Sequence, residues 1–391
     1  MIRVSLAFEG VLTEPWTAQE LAGLDQPTLQ ASSFSVLGER TRFGARSLVS
    51  FLGAFAEVEI LTVRSAPTVS AIRQWLGTHL PELKNAPVHP TPPAERTRFV
   101  AERGIVLHIE HGALSPVSPS EKPPPCVCWR DEPVEHLLNA IAGKLDQHAD
   151  LTLGTRPVHS LRELYSFSST PVYLVETADG PFKVRVIEHA DQSALLATLH
   201  RLASEHPALA ELLPEELPGL PAGVHVTPFF PAPKVEEQNP RDGLDLVTRV
   251  ARWQAALHDL TRRNDSTSLV SCACDPFNLC VADDGTARII DAADCCFAPR
   301  WLDLVWTERL LCPWTGGTAR YFETYFQSTP ERPSSAEINE ALTSYYFRHQ
   351  TIIRDSLRRR SADEAVCAML GQVKSWRAAI PTETLLQNYA V

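Results

Sequence analysis

The strongest constraint on how this chain folds is a proline run, Pro116 to Pro125, that ends with Pro123, Pro124 and Pro125 in succession. Proline has no amide donor and a fixed φ, so this stretch carries neither helix nor sheet ladder. A helix-start signature follows at Asp131-Glu132-Pro133. Val134, Leu137, Leu138, Ile141 and Leu145 then recur at the spacing of one helical face. This is read as the last helix of an N-terminal domain that closes near residue 148.

Before the proline run, strand-like and helix-like stretches alternate: Ile2 to Phe8, Ser47 to Phe55, Val58 to Val63, Val69 to Leu80 and Gly104 to Ile109. Alternation of this kind predicts a parallel, Rossmann-like sheet with helices on its faces, an α/β domain. Past residue 148 the pattern becomes α+β. Val172 to Glu176 and Phe182 to Ile187 flank Ala178-Asp179-Gly180 as a hairpin would. A helix is expected from Gln192 to Ser204 and a strand from Val224 to Phe230. A second helix carries Leu246, Val250, Trp253, Leu257 and Leu260, and mostly helical sequence follows from Leu302. The expected division is residues 1–148 and 149–391, the latter with a smaller lobe at about 149–232 and a larger one at about 233–391.

At 391 residues, two or three domains are expected. A net charge of -11 argues against nucleic acid as a partner, because that affinity comes from neutralising phosphates. The basic run Arg358-Arg359-Arg360 is read as a solvated helix face. No apolar run has the length of a membrane span, and Met1 to Leu6 reads as a strand rather than a signal peptide, so a cytoplasmic location is expected. Nine cysteines, an odd number in a chain of this length, are expected as free thiols.

The candidate chemistry lies in Ser271-Cys272-Ala273-Cys274-Asp275-Pro276-Phe277-Asn278 and the strand-like run that ends Ile289-Ile290-Asp291. Phosphoryl transfer needs a carboxylate for the acceptor hydroxyl, and an amide and a carboxylate to hold magnesium. Asn278 and Asp291 have the residue types for the metal pair. With Leu257-His258 ending a helix upstream, this order resembles the protein-kinase-like fold, in particular its aminoglycoside phosphotransferase and choline kinase branch. In that branch the loop reads H-G-D-x-x-x-x-N and a later strand ends Ile-Asp. The resemblance covers about residues 150 to 390. It implies ATP or another nucleotide and Mg2+ as cofactors, with Asn278 and Asp291 on the metal and Lys183 and Arg185 of the hairpin on nucleotide.

The departures from that pattern matter as much. The family's His and Asp fall on Ser271 and Ala273, and alanine cannot accept a proton. The phosphate-covering loop, Ser166 to Pro171, has no glycine. The helix that should carry a glutamate to pair Arg185 has none between His189 and Ser204, and Glu188 just before it is the nearest substitute. Two alignments stay open. In one, Ala273 holds the catalytic position and the site binds without efficient transfer. In the other, Asp275 is the catalytic base, although a displacement of up to about 3.3 to 3.6 Å per residue places it poorly. Plainer readings stand beside these: Asn278 as a turn residue, Asp291 as a cap, Arg185 as an ion-pair member and His258 as a packed helix residue. Cys272, Cys274, Cys280, Cys295 and Cys296 crowd this region. They read either as zinc ligands or, since neither pair has zinc-site spacing, as compact buried residues.

At the N-terminus, Leu6-Ala7-Phe8-Glu9-Gly10-Val11-Leu12, then Leu61-Thr62, then Leu107-His108-Ile109-Glu110-His111 resemble the motif series of haloacid-dehalogenase-like phosphatases. Arg96 or Arg98 stands where that series has a lysine. That chemistry needs a nucleophilic aspartate where this chain has Ala7, so phosphatase activity is not expected. Glu9 and Glu110 are read as solvated strand ends or as a remnant cation site. Taken together, the sequence predicts a regulatory or scaffolding pseudoenzyme that binds nucleotide and magnesium, with the N-terminal domain available to a protein partner. The alternative is an active ATP-dependent phosphotransferase that acts on a small hydroxylated molecule or a protein, with Asp275 as base.

Overall fold

The chain begins with strand β1 (Ile2–Ala7), buried at every position except Arg3, as suits a strand covered on both faces. The computed structural model describes residues 1–15, 36–111, 125–164, 171–237, 243–264 and 266–360. The proline run up to Pro124 and the segment Ser166 to Thr170 lie outside them. Next come α1 (Ala45–Phe55), β2 (Ala56–Thr62), α2 (Val69–His79), β3 (Val88–Pro90), α3 (Pro93–Glu102), β4 (Leu107–Glu110), β5 (Cys126–Cys128) and α4 (Val134–Leu145). Among the described residues the strands form a parallel sheet in the order β3-β2-β1-β4-β5, as the alternation predicted. In register Ala7 pairs with Leu61 and Leu6 with Ile109, so Glu9, Thr62 and Glu110 gather at the carboxyl edge. That edge is where open α/β sheets place ligands.

A second sheet follows, in the order β10-β9-β8-β7-β6. Its strands are β6 (Thr152–Leu153), β7 (Arg156–Leu164), β8 (Val172–Thr177), β9 (Gly180–Val186) and β10 (Val224–Pro228). The expected hairpin is β8 and β9, paired from Val172–Arg185 to Thr177–Gly180. The core of the first sheet does not stop at residue 148. Leu151, Leu153, Leu161, Tyr173, Val175, Val184 and Val226 join Leu48, Phe51, Leu138 and Ile141 in one buried cluster. The Phe51 and Tyr173 rings lie 4.9 Å apart, and the Tyr173 hydroxyl donates to Asn139 Oδ1 at 3.0 Å. By chain contacts the protein divides into two units. The first takes Met1–Ser166, Thr170–Ala190 and Leu217–Val226, and the second takes Asp191–Glu216 and Thr227 onward.

The second unit is built on α5 (Ala190–Glu205), α6 (Gly243–Leu260), α7 (Trp301–Leu310), α8 (Thr318–Ser328) and α9 (Ser335–Arg360). α6 buries Leu246, Val250, Trp253 and Leu257 on one face, as their spacing predicted. Two short antiparallel ladders complete it. One pairs β11 (Thr267–Val270) with β14 (Cys296–Pro299), and the other pairs β12 (Leu279–Val281) with β13 (Ala287–Ile289). Arg358 to Arg360 lie in the last turn of α9, in the helix the sequence implied. Among the described residues no helix is long and apolar enough to cross a membrane.

Candidate functional site

The loop between β11 and β12 carries Ser271 to Asn278, and a buried carboxylate holds its first half. Asp303, in the apolar run Trp301-Leu302-Asp303-Leu304 of α7, is wholly buried. A carboxylate in such surroundings needs donors. It accepts from the Ser271 amide at 2.8 Å and the Cys272 amide at 2.7 Å, and its Oδ2 lies 3.1 Å from His258 Nε2. His258 Nδ1 is 2.8 Å from the Tyr325 hydroxyl. His258 is therefore a buried bridge from α6 to α7 and α8, the packed residue that the plainer reading expected. The sequence reading missed Asp303. A lone acidic residue inside an otherwise apolar helical run was the available signal.

Cys272 has φ 48°, and it is the one non-glycine residue with positive φ among those described. An L-residue in that conformation is held there by its surroundings. Here these are the Asp303 bonds to its own amide and to that of Ser271. In the H-G-D pattern quoted above, Cys272 stands where the glycine stands, and a glycine adopts positive φ without steric cost. Counted back from Asn278, that pattern puts Ala273, 1% exposed, at the carboxylate position.

Asp275 serves as a turn anchor. Its Oδ1 accepts from the Phe277 amide at 2.9 Å and the Asn278 amide at 3.0 Å. Its Oδ2 accepts from Asn278 Nδ2 at 3.0 Å and Trp306 Nε1 at 3.1 Å. With 3% exposure and both oxygens engaged, it is a capping carboxylate of the kind Asp provides in turns. Burial pushes its pKa up to about 6, against the opposing effect of the four donors, the Trp306 indole first among them.

The bond from Asn278 Nδ2 to Asp275 settles which way the Asn278 amide faces, so its oxygen points away from the anchor. Asn278 and Asp291 flank the same end of the β12–β13 ladder: Leu279 pairs with Ile289, and the Ile290 amide donates to the Asn278 carbonyl at 2.8 Å. Both side chains are half-exposed. Asp291 Oδ1 accepts from the Ala293 amide at 3.1 Å, which orients the carboxylate. An amide oxygen and a carboxylate are the hard donors that Mg2+ takes when water and phosphate complete its shell. These two residues fit the ion. Among the described residues, no group of three or more His, Cys, Asp or Glu side chains converges as a metal site.

Lys183 and Arg185 belong to β9 in the first unit. Phe182, Val184 and Val186 of that strand face the core, so Lys183 and Arg185 share its opposite face, half-buried and 4% exposed respectively. Glu188 does not serve as a partner for Arg185. Its carboxylate accepts from the Gly44 amide at 3.2 Å and the Ser47 amide at 2.8 Å, and so caps the N-terminus of α1.

The carboxyl edge of the first sheet is filled by ion pairs. Thr62 Oγ1 donates to Glu9 at 2.6 Å and the Val63 amide at 3.3 Å, while Arg64 Nε lies 3.4 Å and Arg96 Nη2 3.8 Å from the same carboxylate. Arg96 also pairs with Glu110. Of Arg96 and Arg98, it is thus Arg96 that stands at this edge, and Arg98 instead pairs with Glu102 on an exposed surface. Glu9 and Glu110 are not solvated ends, and a guanidinium stands between them where a cation would have been. His108 lies 2.8 Å from Ser5 Oγ and 3.3 Å from Glu110. Burial, helped by Arg96, lowers its pKa to about 3, so its contact with Glu110 is a hydrogen bond from an uncharged ring and not an ion pair. Ala7 is fully buried and offers no nucleophile.

No protein-family model matches the chain, and no curated protein matches it. Solved structures similar to it include an aminoglycoside-3'-phosphotransferase of type VIII, at 14% identity and TM-score 0.36, covering 46% of this chain and 91% of that one. A macrolide 2'-phosphotransferase type I is 15% identical with TM-score 0.40, covering 61% of this chain and 96% of that one. A putative fructosamine-3-kinase from Haemophilus somnus 129PT is 11% identical with TM-score 0.38, covering 56% of this chain and 92% of that one. At such identities and TM-scores these remain likenesses, and no family membership follows from them.

Proposed function

We propose that the second unit is a kinase-like module that binds a nucleotide and magnesium without efficient phosphoryl transfer, and that the protein is a cytoplasmic regulatory or scaffolding pseudoenzyme. The observation that carries this is the commitment of Asp275. Its two oxygens take four N–H donors while Ala273 occupies the position of the acceptor carboxylate. A base must reach the hydroxyl it deprotonates, and Asp275 is turned into its own loop. Asn278 and Asp291, by contrast, sit half-exposed at one ladder end with oxygens suited to a hard cation. Bound magnesium would neutralise phosphate charge. Residues 1–148 would be a phosphatase-like fold without its nucleophile, kept for docking a protein partner.

Thermal unfolding with and without Mg-ATP tests this proposal. A ligand at one hundred times its Kd stabilises by about 2.7 kcal/mol, so the midpoint should rise. Asp291→Ala should lose the magnesium-dependent part of the rise, and no ADP should form above background. Turnover that disappears in a still-folded Asp275→Ala variant would overturn the pseudoenzyme and leave a phosphotransferase. No shift with any nucleotide would remove the nucleotide reading altogether.

A further inference from the structure

The loop and ladder around Asp303 bring two cysteines together. Val270, the last residue of β11, pairs with Cys296, the first residue of β14. Two residues beyond Val270 the left-handed turn at Cys272 redirects the chain, and the Cys272 and Cys296 thiols lie within electrostatic reach of one another. Arg348 of α9 adds a charge: its Nη1 donates to Cys272 Sγ at 3.6 Å and to the Asp294 carbonyl at 3.1 Å. Cys272 is 2% exposed, and Cys296 is half-buried. A thiol pair with a guanidinium alongside is the setting in which one sulfur is held as thiolate and the other stands ready to resolve it.

We propose that Cys272 and Cys296 form a peroxide-reactive dithiol that closes to a disulfide, with Cys296 the attacking sulfur, Cys272 the resolving one and Arg348 the positioning residue. Nothing in this depends on nucleotide binding.

The electrostatics agree with those roles. The neighbouring Cys272 and the Arg348 charge lower Cys296 below the usual thiol range, whereas the neighbouring Cys296 and burial raise Cys272. Nearby thiols differ: burial pushes Cys295 up to about 12 and Cys274 well above its ordinary value.

In the first step the Cys296 thiolate attacks one peroxide oxygen and the O–O bond breaks. The departing hydroxide takes a proton to leave as water, and Cys296 becomes a sulfenic acid. In the second step the Cys272 sulfur attacks that sulfenic sulfur, the S–S bond forms and the S–O bond breaks. The hydroxide expelled takes the Cys272 proton as a second water. The two thiols lose two electrons and two protons, and the peroxide is reduced to two waters. Bond formation requires the sulfurs to close to about 2 Å. The product would tie the loop, at the residue before Ala273, to β14.

The test uses the full chain, reduced, desalted and treated with one to a few equivalents of hydrogen peroxide. Thiols counted after denaturation should fall from nine to seven, and peptide mapping should find Cys272 joined to Cys296. In Cys272→Ser, dimedone should trap a sulfenic acid on Cys296. Cys296→Ser should abolish the fast loss. Arg348→Gln should slow it roughly three- to tenfold, through a smaller thiolate fraction. A count that stays at nine, a disulfide between any other pair, or a rate unchanged in Arg348→Gln would overturn the proposal.

Discussion

At the scale of single residues, Asp275 has the largest measurable consequence. Its carboxyl titrates near 3.8 when exposed and about 6 when buried in the fold. Below pH 4 both states hold the proton. Between about 4 and 6 the folded chain keeps a proton that the unfolded chain releases, so stability from this group falls as pH rises through that window and is flat above it. At about 1.4 kcal/mol per pKa unit, the loss is about 3 kcal/mol. Urea unfolding of the protein and of Asp275→Ala at pH 4 to 7 should show the difference. The variant should be less stable at pH 4, having lost the acceptor for four donors, and the gap should narrow by pH 7. A gap that widens instead would mean the carboxylate is stabilised by those donors more than burial penalises it. None of this was legible in the sequence, because the fate of Asp275 depends on Trp306, thirty-one residues later. The order of Asn278 and Asp291 was legible, because strand pairing over a short hairpin is local.

At the scale of elements, the strands and helices that sequence exposed are those with a clean period. α6 and the β8–β9 hairpin fall within a few residues of expectation. β7 was missed because its alternation breaks: the register shifts between Val158 and Ser160, so Val158 and Leu161 are buried out of phase. β3 and β5, three residues each, are too short to show a period at all. α1 starts at Gly44, which has no side chain to cap it, and a Cβ there would lie 2.7 Å from Val134. Glu188, distant in sequence, supplies the cap. Glu188→Ala should cost about 1 to 2 kcal/mol in urea unfolding, and Glu188→Gln, which keeps one acceptor, should recover part of it. An unchanged midpoint in Glu188→Ala would show that water caps α1 equally well.

At the scale of the whole molecule, the sequence placed a boundary at residue 148, but the hydrophobic cluster passes beyond it. Leu151, Leu153, Leu161 and Tyr173 complete the core that contains Leu138 and Ile141. A chain cut at residue 148 would expose the apolar faces of α1 and α4. We expect such a chain to bind a hydrophobic dye and to melt broadly, whereas one ending at residue 232 should melt in a sharp transition. A sharp transition for residues 1–148 would instead favour the division at 148. The sequence could not reveal the shared core, because the apolar residues of β6 to β9 satisfy their own strand periodicity equally well in either arrangement.

The Glu9 carboxylate, received by Thr62, the Val63 amide, Arg64 and Arg96, has a further consequence. Tethered to the same sheet, it competes for those donors at an effective concentration of millimolar or more. A free phosphate that binds more weakly than that is excluded by a resident it can never dilute away. Anything that does dock at this edge must either bring greater affinity or leave Glu9 in place.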